Sequence, residues 1–134
     1  MIPAPKNPEL HHTAYVVGDM DASSRKWRML GATVELSSTL VSADQVRVSF
    51  LNFQGGRIEL VEPCSGSRIS VARGEGGQPD HLCFLCDNFD ELIQGARASG
   101  GIVVRPPVCS EAFRGKRMAF VLYHALGLIE WVER

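Results

Sequence analysis

Four side chains that could bind a metal ion stand far apart in this sequence, at His12, Glu59, His81 and Glu130. Neutral imidazole nitrogens and carboxylate oxygens together suit a borderline divalent cation such as Zn, Ni, Co, Mn or Fe(II). The two histidines would each supply a lone pair, and the two carboxylates would offset the charge of the cation. The four residues therefore predict one divalent metal ion per chain, without fixing which of these metals it is.

An internal repeat relates the four residues in pairs. The segments LHHTAYVVGDMD and DHLCFLCDNFD each contain a histidine, a short apolar run and an acidic turn. His12 and His81 are 69 residues apart, as are two glycines that each follow a helix-like stretch. Glu59 and Glu130 are 71 residues apart, within the related segments IELVE and IEWVE. Each half of the chain therefore contributes one histidine and one glutamate at equivalent positions.

Alternation along the predicted strands supports a shared location for these side chains. Alternate residues of a strand point to the same face, so each histidine shares a face with small or apolar neighbours. A glutamate among apolar neighbours is costly if it faces the interior unpaired, and a bound metal would remove that cost. For Glu59 or Glu130 alone, a solvent-facing position is the alternative. The equivalence of all four positions favours the metal site.

The order of apolar runs and turn residues predicts an α+β fold with two tandem βαβββ modules, about residues 8–63 and 79–134, in a single domain spanning 1–134. The modules would pair into a half-open, barrel-like mixed sheet around a central cleft. Asp19 is the expected cap of the first helix, Trp27 and Leu30 its buried side, and 63–78 the linker. The expected elements are strand 9–17, helix 20–30, strands 32–37, 45–53 and 56–62, strand 80–86, helix 88–99, and strands 101–104, 116–123 and 126–133.

Composition places the chain among ordinary soluble globular proteins. It has 134 residues, of which 45% are hydrophobic and 22% charged, with a net charge of −1. This balance argues against disorder, a collagen-like repeat, and binding to nucleic acid through a basic face. No apolar run approaches the roughly 20 residues that span a bilayer, and the start MIPAPK lacks the layout of a signal peptide. We therefore expect a cytoplasmic protein that binds neither nucleic acid nor membranes.

The four cysteines, at positions 64, 83, 86 and 109, are expected to be reduced thiols. Nothing in the sequence indicates secretion, which would favour disulfides. Cys83 and Cys86 have the spacing of a C-x-x-C motif but lie in an apolar strand-like run. Positions three apart in a strand point to opposite faces, so a shared zinc ion or a redox pair is geometrically poor.

Several motifs, taken in order, resemble the vicinal oxygen chelate superfamily from about Leu10 to Arg134. This superfamily includes glyoxalase I, methylmalonyl-CoA epimerase, extradiol dioxygenases, fosfomycin-modifying enzymes and bleomycin-binding proteins. The chain is most similar to the small epimerase-like and glyoxalase I-like branch. The motifs are HTAYVVGD at 12–19, RIELVEP at 57–63, the His81 strand followed by DEL at 90–92, GKRMAF at 115–120 and GLIE at 127–130.

The resemblance implies one metal site per chain, with His12, Glu59, His81 and Glu130 as ligands. In the family the metal binds two substrate oxygens and stabilises an enolate, while a neighbouring carboxylate moves the proton. Glu130 and Glu59 are then also the candidate general bases. The implied function is a metal-dependent isomerase or lyase acting next to a carbonyl or thioester, similar to methylmalonyl-CoA epimerase or glyoxalase I. Its partners would be a small-molecule substrate and a second copy in a homodimer.

Two other functions stay open from the sequence. One is a metal-free protein that binds a small drug-like molecule and confers resistance, which would need none of the four ligands. The other is an Fe(II) dioxygenase with two histidines and one carboxylate, for which Glu59 would be a surplus ligand. A basic cluster at Arg114, Lys116 and Arg117 is either a solvated loop or a contact for an anionic substrate group.

Overall fold

The structure is a computed structural model that describes residues 2–69 and 77–134. The helices and strands follow one another as β-α-β-β-β and then again as β-α-β-β-β, which confirms the predicted α+β class and the two βαβββ modules. Two single-turn 3-10 helices, Arg97–Ser99 and Glu111–Phe113, flank the sixth strand. The elements are β1 Glu9–Val16, α1 Met20–Met29, β2 Thr33–Val41, β3 Val46–Phe53, β4 Gly56–Pro63, β5 Gln78–Cys86, α2 Phe89–Gln94, β6 Gly101–Cys109, β7 Arg117–Tyr123 and β8 Gly127–Glu133.

The chain divides into two compact units, and the first spans residues 12–80. Its strands are ordered β2-β3-β4-β1, with β1 parallel to β4 and the other pairs antiparallel. One face of this sheet packs against α1 through an apolar cluster that includes the fully buried Leu51 and Leu60, with Tyr15 and Trp27 against it. The opposite face is therefore the one on which β1 and β4 can present polar side chains.

Both ends of α1 follow from local chemistry. The Asp19 carboxylate accepts a hydrogen bond from the Ala22 backbone N–H at 3.0 Å, as a helix cap does. Gly31, just past the helix, has a φ of +110°, which favours glycine. The sequence predicts Leu30 on the buried side, but this residue is 67% exposed. The helix ends at Met29, so Leu30 is the C-cap residue and lies beyond the packed stripe.

The second unit comprises the residues up to His11 together with His81–Arg134. Its strands are ordered β5-β8-β7-β6, with β5 parallel to β8 and the other pairs antiparallel. The core between the sheet and α2 contains Phe89, Leu92 and Trp131. The Trp131 indole N–H donates a hydrogen bond to the Tyr123 hydroxyl at 2.9 Å within this core. The unit thus repeats the architecture of the first, with one sheet face covered by a helix.

Three elements differ from their predicted lengths. The expected helix 88–99 ends at Gln94 and is followed by Gly95 and a short 3-10 turn, because glycine disfavours helix interiors. The strand expected at 101–104 continues to Cys109 despite Pro106 and Pro107. These prolines lie in a register break between Arg105 and Val108 on the terminal strand β6, where missing N–H donors are tolerated. The strand expected at 32–37 likewise continues, to Val41.

Two further expectations concern the linker and the thiols. The linker predicted at 63–78 falls partly at residues 70–76, which lie outside the described part of the chain. All four cysteines lie in the described part of the chain and none of them forms a disulfide; Cys83 and Cys86 are fully buried. Among the helices of residues 2–69 and 77–134, none has the length and apolar character needed to cross a membrane.

Candidate metal-binding site

The first unit buries one histidine beside one glutamate. His12 on β1 is 1% exposed and Glu59 on β4 is 5% exposed. The parallel register aligns Ala14 with Glu59, so the glutamate lies on the face that Ala14 and His12 share. His12 Nε2 lies 3.3 Å from Glu59 Oε1. The structure thus brings these two predicted ligands together on the face opposite α1.

The second unit repeats this pair. His81 on β5 is 7% exposed and Glu130 on β8 is 3% exposed. The parallel register aligns Cys83 with Glu130, which places the glutamate on the face that Cys83 and His81 share. His81 Nε2 lies 3.2 Å from Glu130 Oε1. The internal repeat therefore extends from residue type to side-chain geometry.

A phenylalanine packs against each histidine. The Phe50 ring lies 5.3 Å from the His12 ring, and the Phe120 ring lies 4.8 Å from the His81 ring, nearly perpendicular to it. In the antiparallel registers, Phe50 is the partner of Glu59 and Phe120 is the partner of Glu130. Each His–Glu pair therefore has an apolar ring on one side, which shields it from water and limits rotation of the imidazole.

These two rings are functional candidates that the sequence motifs did not reveal. A signal was present, because Phe50 and Phe120 are 70 residues apart, between the spacing of the histidines and that of the glutamates. Phenylalanine is common in strand cores, however. Its role beside a polar pair becomes visible only when the strand register is known.

Each pair has a geometry that fits two ligands of one divalent ion. Ligand atoms about 2.1 Å from a metal lie roughly 3.0 Å apart at a 90° angle and roughly 3.4 Å apart at a tetrahedral angle. The observed separations of 3.3 and 3.2 Å fall within this range. The same distances suit a hydrogen-bonded imidazolium–carboxylate pair. Two carboxylates at or below 5% exposure would be costly without a cation, since buried charges are paired or bind metals.

The three residues of the basic cluster lie in two different environments. Arg114 and Lys116 are exposed. The Arg117 guanidinium binds Asp90 through two hydrogen bonds, at 2.9 and 3.1 Å, and also binds Glu133. These bonds hold the pKa of both the Asp90 and the Glu133 carboxyl below the usual range. Glu133 is the register partner of Cys86, which packs with α2. Arg117 therefore serves the helix side of the sheet rather than the His–Glu side.

Most of the chain matches a known protein family. Residues 11–120 match the family described as the Glyoxalase/Bleomycin resistance protein/Dioxygenase superfamily. None of the curated proteins matches the sequence significantly.

Several solved structures share the fold. A hypothetical protein from Bacillus halodurans C-125 is 22% identical, with a TM-score of 0.74 and coverage of 96% of both chains. Methylmalonyl-CoA epimerase from Mycobacterium tuberculosis is 20% identical, with a TM-score of 0.71 over 92% of this chain and 86% of its own. A variant of the Streptomyces coelicolor methylmalonyl-CoA epimerase, in complex with 2-nitronate-propionyl-CoA, is 22% identical, with a TM-score of 0.74 over 97% of this chain and 98% of its own. At these identities the likeness establishes the fold.

Proposed function

Because the chain belongs to the glyoxalase/bleomycin resistance protein/dioxygenase superfamily, we propose that it is a metal-dependent isomerase or lyase that moves a proton next to a carbonyl or thioester. The family match confirms the resemblance seen in the sequence. The observation that carries the proposal is the buried His–Glu pair that each module repeats, His12 with Glu59 and His81 with Glu130.

We propose that the two pairs together hold one divalent ion. Two imidazoles and two carboxylates form a donor set for Zn, Ni, Co, Mn or Fe(II), and the two negative charges match the charge of the cation. A cation bound there would lower the free energy of negative charge developing on a substrate carbonyl oxygen. The internal repeat supports the sharing of a single ion, because each of two duplicated modules would contribute the same half of the ligand set, one histidine and one glutamate.

The protein's own side chains then have distinct roles. His12 and His81 hold the cation through Nε2, the atom that faces the glutamate of each pair. Glu130 and Glu59 are the proposed general bases, since a carboxylate has a second oxygen that can exchange a proton with the substrate. Phe50 on β3 shields its pair from water, and this shielding strengthens electrostatic interactions at the site.

The proposed substrate is a small carbonyl compound or thioester. A variant of the Streptomyces coelicolor epimerase was solved with 2-nitronate-propionyl-CoA, and a methylmalonyl-CoA epimerase structure contains methylmalonyl-CoA. Both are 22% identical to this chain, so a thioester is a proposal by analogy for this protein. We also propose a cytoplasmic homodimer, for which the terminal strands β2 and β6 offer sheet edges.

Proton exchange at the carbon next to the carbonyl tests the function directly. Protein stripped with a chelator and reloaded separately with each candidate metal is incubated in D₂O with methylmalonyl-CoA, and deuterium at C2 is followed by NMR. The methylglyoxal–glutathione adduct is assayed in parallel for isomerisation. We expect exchange that depends on metal and falls by about 100-fold or more in Glu130→Gln, the usual range for a general base. Glu133→Gln, on the same strand but facing α2, should retain exchange.

Other outcomes would identify the alternative functions. Iron-dependent oxygen consumption without proton exchange would favour a dioxygenase. Ligand binding that persists without metal and is unchanged in His12→Ala would favour a small-molecule binding protein. Either result would contradict the proposed proton transfer.

A further inference from the structure

One difference between the two modules lies beside their matching His–Glu–Phe sets and changes the charge there. Strand β2 of the first module has register breaks between Val34 and Leu36 and between Leu36 and Thr39. Strand β6 of the second module has register breaks immediately before and after Arg105. Arg105 lies 69 positions after Leu36, and the residues at the far side of its two breaks lie 69 positions after Val34 and Thr39. The bulged backbone is therefore repeated, but leucine in the first module is replaced by arginine in the second.

Strand register places Arg105 on the face that carries the proposed metal ligands of its unit. Arg105 pairs with Phe120 on β7, and Phe120 pairs with Glu130 on β8. Side chains at paired positions project from the same face of a sheet. The Phe120 ring lies against His81, which fixes that face as the His–Glu face. The Nε atom of Arg105 is shielded from solvent although the residue as a whole is half-buried, so the base of its guanidinium lies within the protein.

Arg105 gives this face of the second unit a cationic side chain, on the same side of the sheet as Glu130. A guanidinium recognises a carboxylate through paired N–H donors, and these charge-assisted hydrogen bonds are among the stronger ones in proteins. Leu36, the equivalent in the first module, can offer neither charge nor donors.

We propose that Arg105 binds a free carboxylate of the substrate, and that the substrate class is a carbonyl compound or thioester bearing such a group. This inference rests on the proposed function, because it assigns the anionic end of the molecule that the metal site would act on. The single arginine also removes the equivalence of the two modules. A substrate with one carboxylate would consequently bind in one orientation, with its anionic end toward β6.

Matched ligands that differ only in the carboxylate test the role of Arg105. Metal-loaded protein is titrated calorimetrically with methylmalonyl-CoA and with propionyl-CoA. We expect the wild type to prefer methylmalonyl-CoA. Arg105→Leu, which installs the residue of the first module, should lower the affinity for methylmalonyl-CoA by about 10- to 100-fold, the range of a hydrogen-bonded charge. The same substitution should leave propionyl-CoA binding within about twofold. Arg105→Lys should retain part of the preference.

The controls separate this inference from the proposed function. Arg97→Leu removes the same charge from the exposed 3-10 turn next to α2 and should leave both affinities unchanged. A wild type without preference for methylmalonyl-CoA, or an equal loss for both ligands in Arg105→Leu, would overturn the assignment of Arg105. Metal content is measured on the same samples and should not change in Arg105→Leu. Failure of the wild type to take up metal would instead overturn the proposed function.

Discussion

Replacing Glu130 by glutamine should separate the stability of the metal-free protein from its response to metal. Glutamine keeps the shape of the side chain and an oxygen that can accept a hydrogen bond from His81, but it removes one buried negative charge. If Glu130 is present to bind a cation, the metal-free wild type contains a carboxylate that is costly at 3% exposure. The metal-free Glu130→Gln protein should therefore unfold at a temperature no lower than the wild type.

The expected response to metal can be worked out from the chain length. A ligand at about 100 times its Kd adds about 2.7 kcal/mol to the free energy of unfolding. For 134 residues the entropy of unfolding is about 0.28 kcal/mol per kelvin. Metal should thus raise the Tm of the wild type by about 10 °C. Glu130→Gln should lose most of this shift, because an amide oxygen is a weaker ligand without the charge.

Differential scanning calorimetry with each metal, and with a chelator, measures both quantities. A structural ion pair between protonated His81 and Glu130 predicts the opposite pattern. Breaking a buried ion pair costs about 3–5 kcal/mol, so the metal-free variant would unfold about 10–18 °C below the wild type. That result, or equal metal shifts in the two proteins, would refute the reasoning. Glu133→Gln is the matched control on the same strand, and it should keep the full metal shift.

Two further predictions concern the second unit. The pKa values of Asp90 and Glu133 are lower in the folded protein than in the unfolded chain, where they are near 4. Both carboxylates therefore stabilise the fold at pH values above about 4, and this stabilisation is lost as the pH falls through the folded-state pKa values. In the presence of a chelator, the Tm of the wild type should therefore drop between about pH 5 and pH 2. The Tm of Arg117→Gln should fall less steeply over this range, and an equal dependence of Tm on pH in the two proteins would contradict the role of Arg117. Tyr123→Phe should lower the free energy of unfolding by about 1–3 kcal/mol in a denaturant titration, because the Trp131 indole N–H loses its acceptor. An unchanged midpoint would show that this hydrogen bond is not needed in the core.

Local signals in the sequence were sufficient for most of the fold. The alternation around His12 predicted β1, and Asp19 predicted the start of α1, where its carboxylate caps the helix. The errors arose where tertiary context outweighs local preference. Proline argues against a strand, yet β6 continues past Pro106 and Pro107 because they coincide with a bulge on a terminal strand. Leu30 is apolar, but the position of the helix end leaves it exposed.

The candidate ligands were predictable because the chain contains its own internal comparison. The repeat alone pairs His12 with His81, and the structure places each histidine beside its glutamate. The repeat also aligns Phe120 with Phe50, but it does not show that Phe120 or Arg105 lies beside the ligands. Their relevance depends on which residues of β6, β7 and β8 face one another, and the bulges in β6 shift that register by amounts that the sequence does not state.

Metal stoichiometry tests the central claim most directly. Wild type, His12→Ala and His81→Ala are purified without chelator, supplied with Zn, Ni, Co or Mn (or with Fe(II) under anaerobic conditions), dialysed, and analysed by elemental mass spectrometry. One ion shared by both His–Glu pairs predicts about one equivalent in the wild type and a large loss in each single variant. The absence of bound metal in the wild type, two equivalents per chain, or full retention of metal in either variant would contradict the shared site.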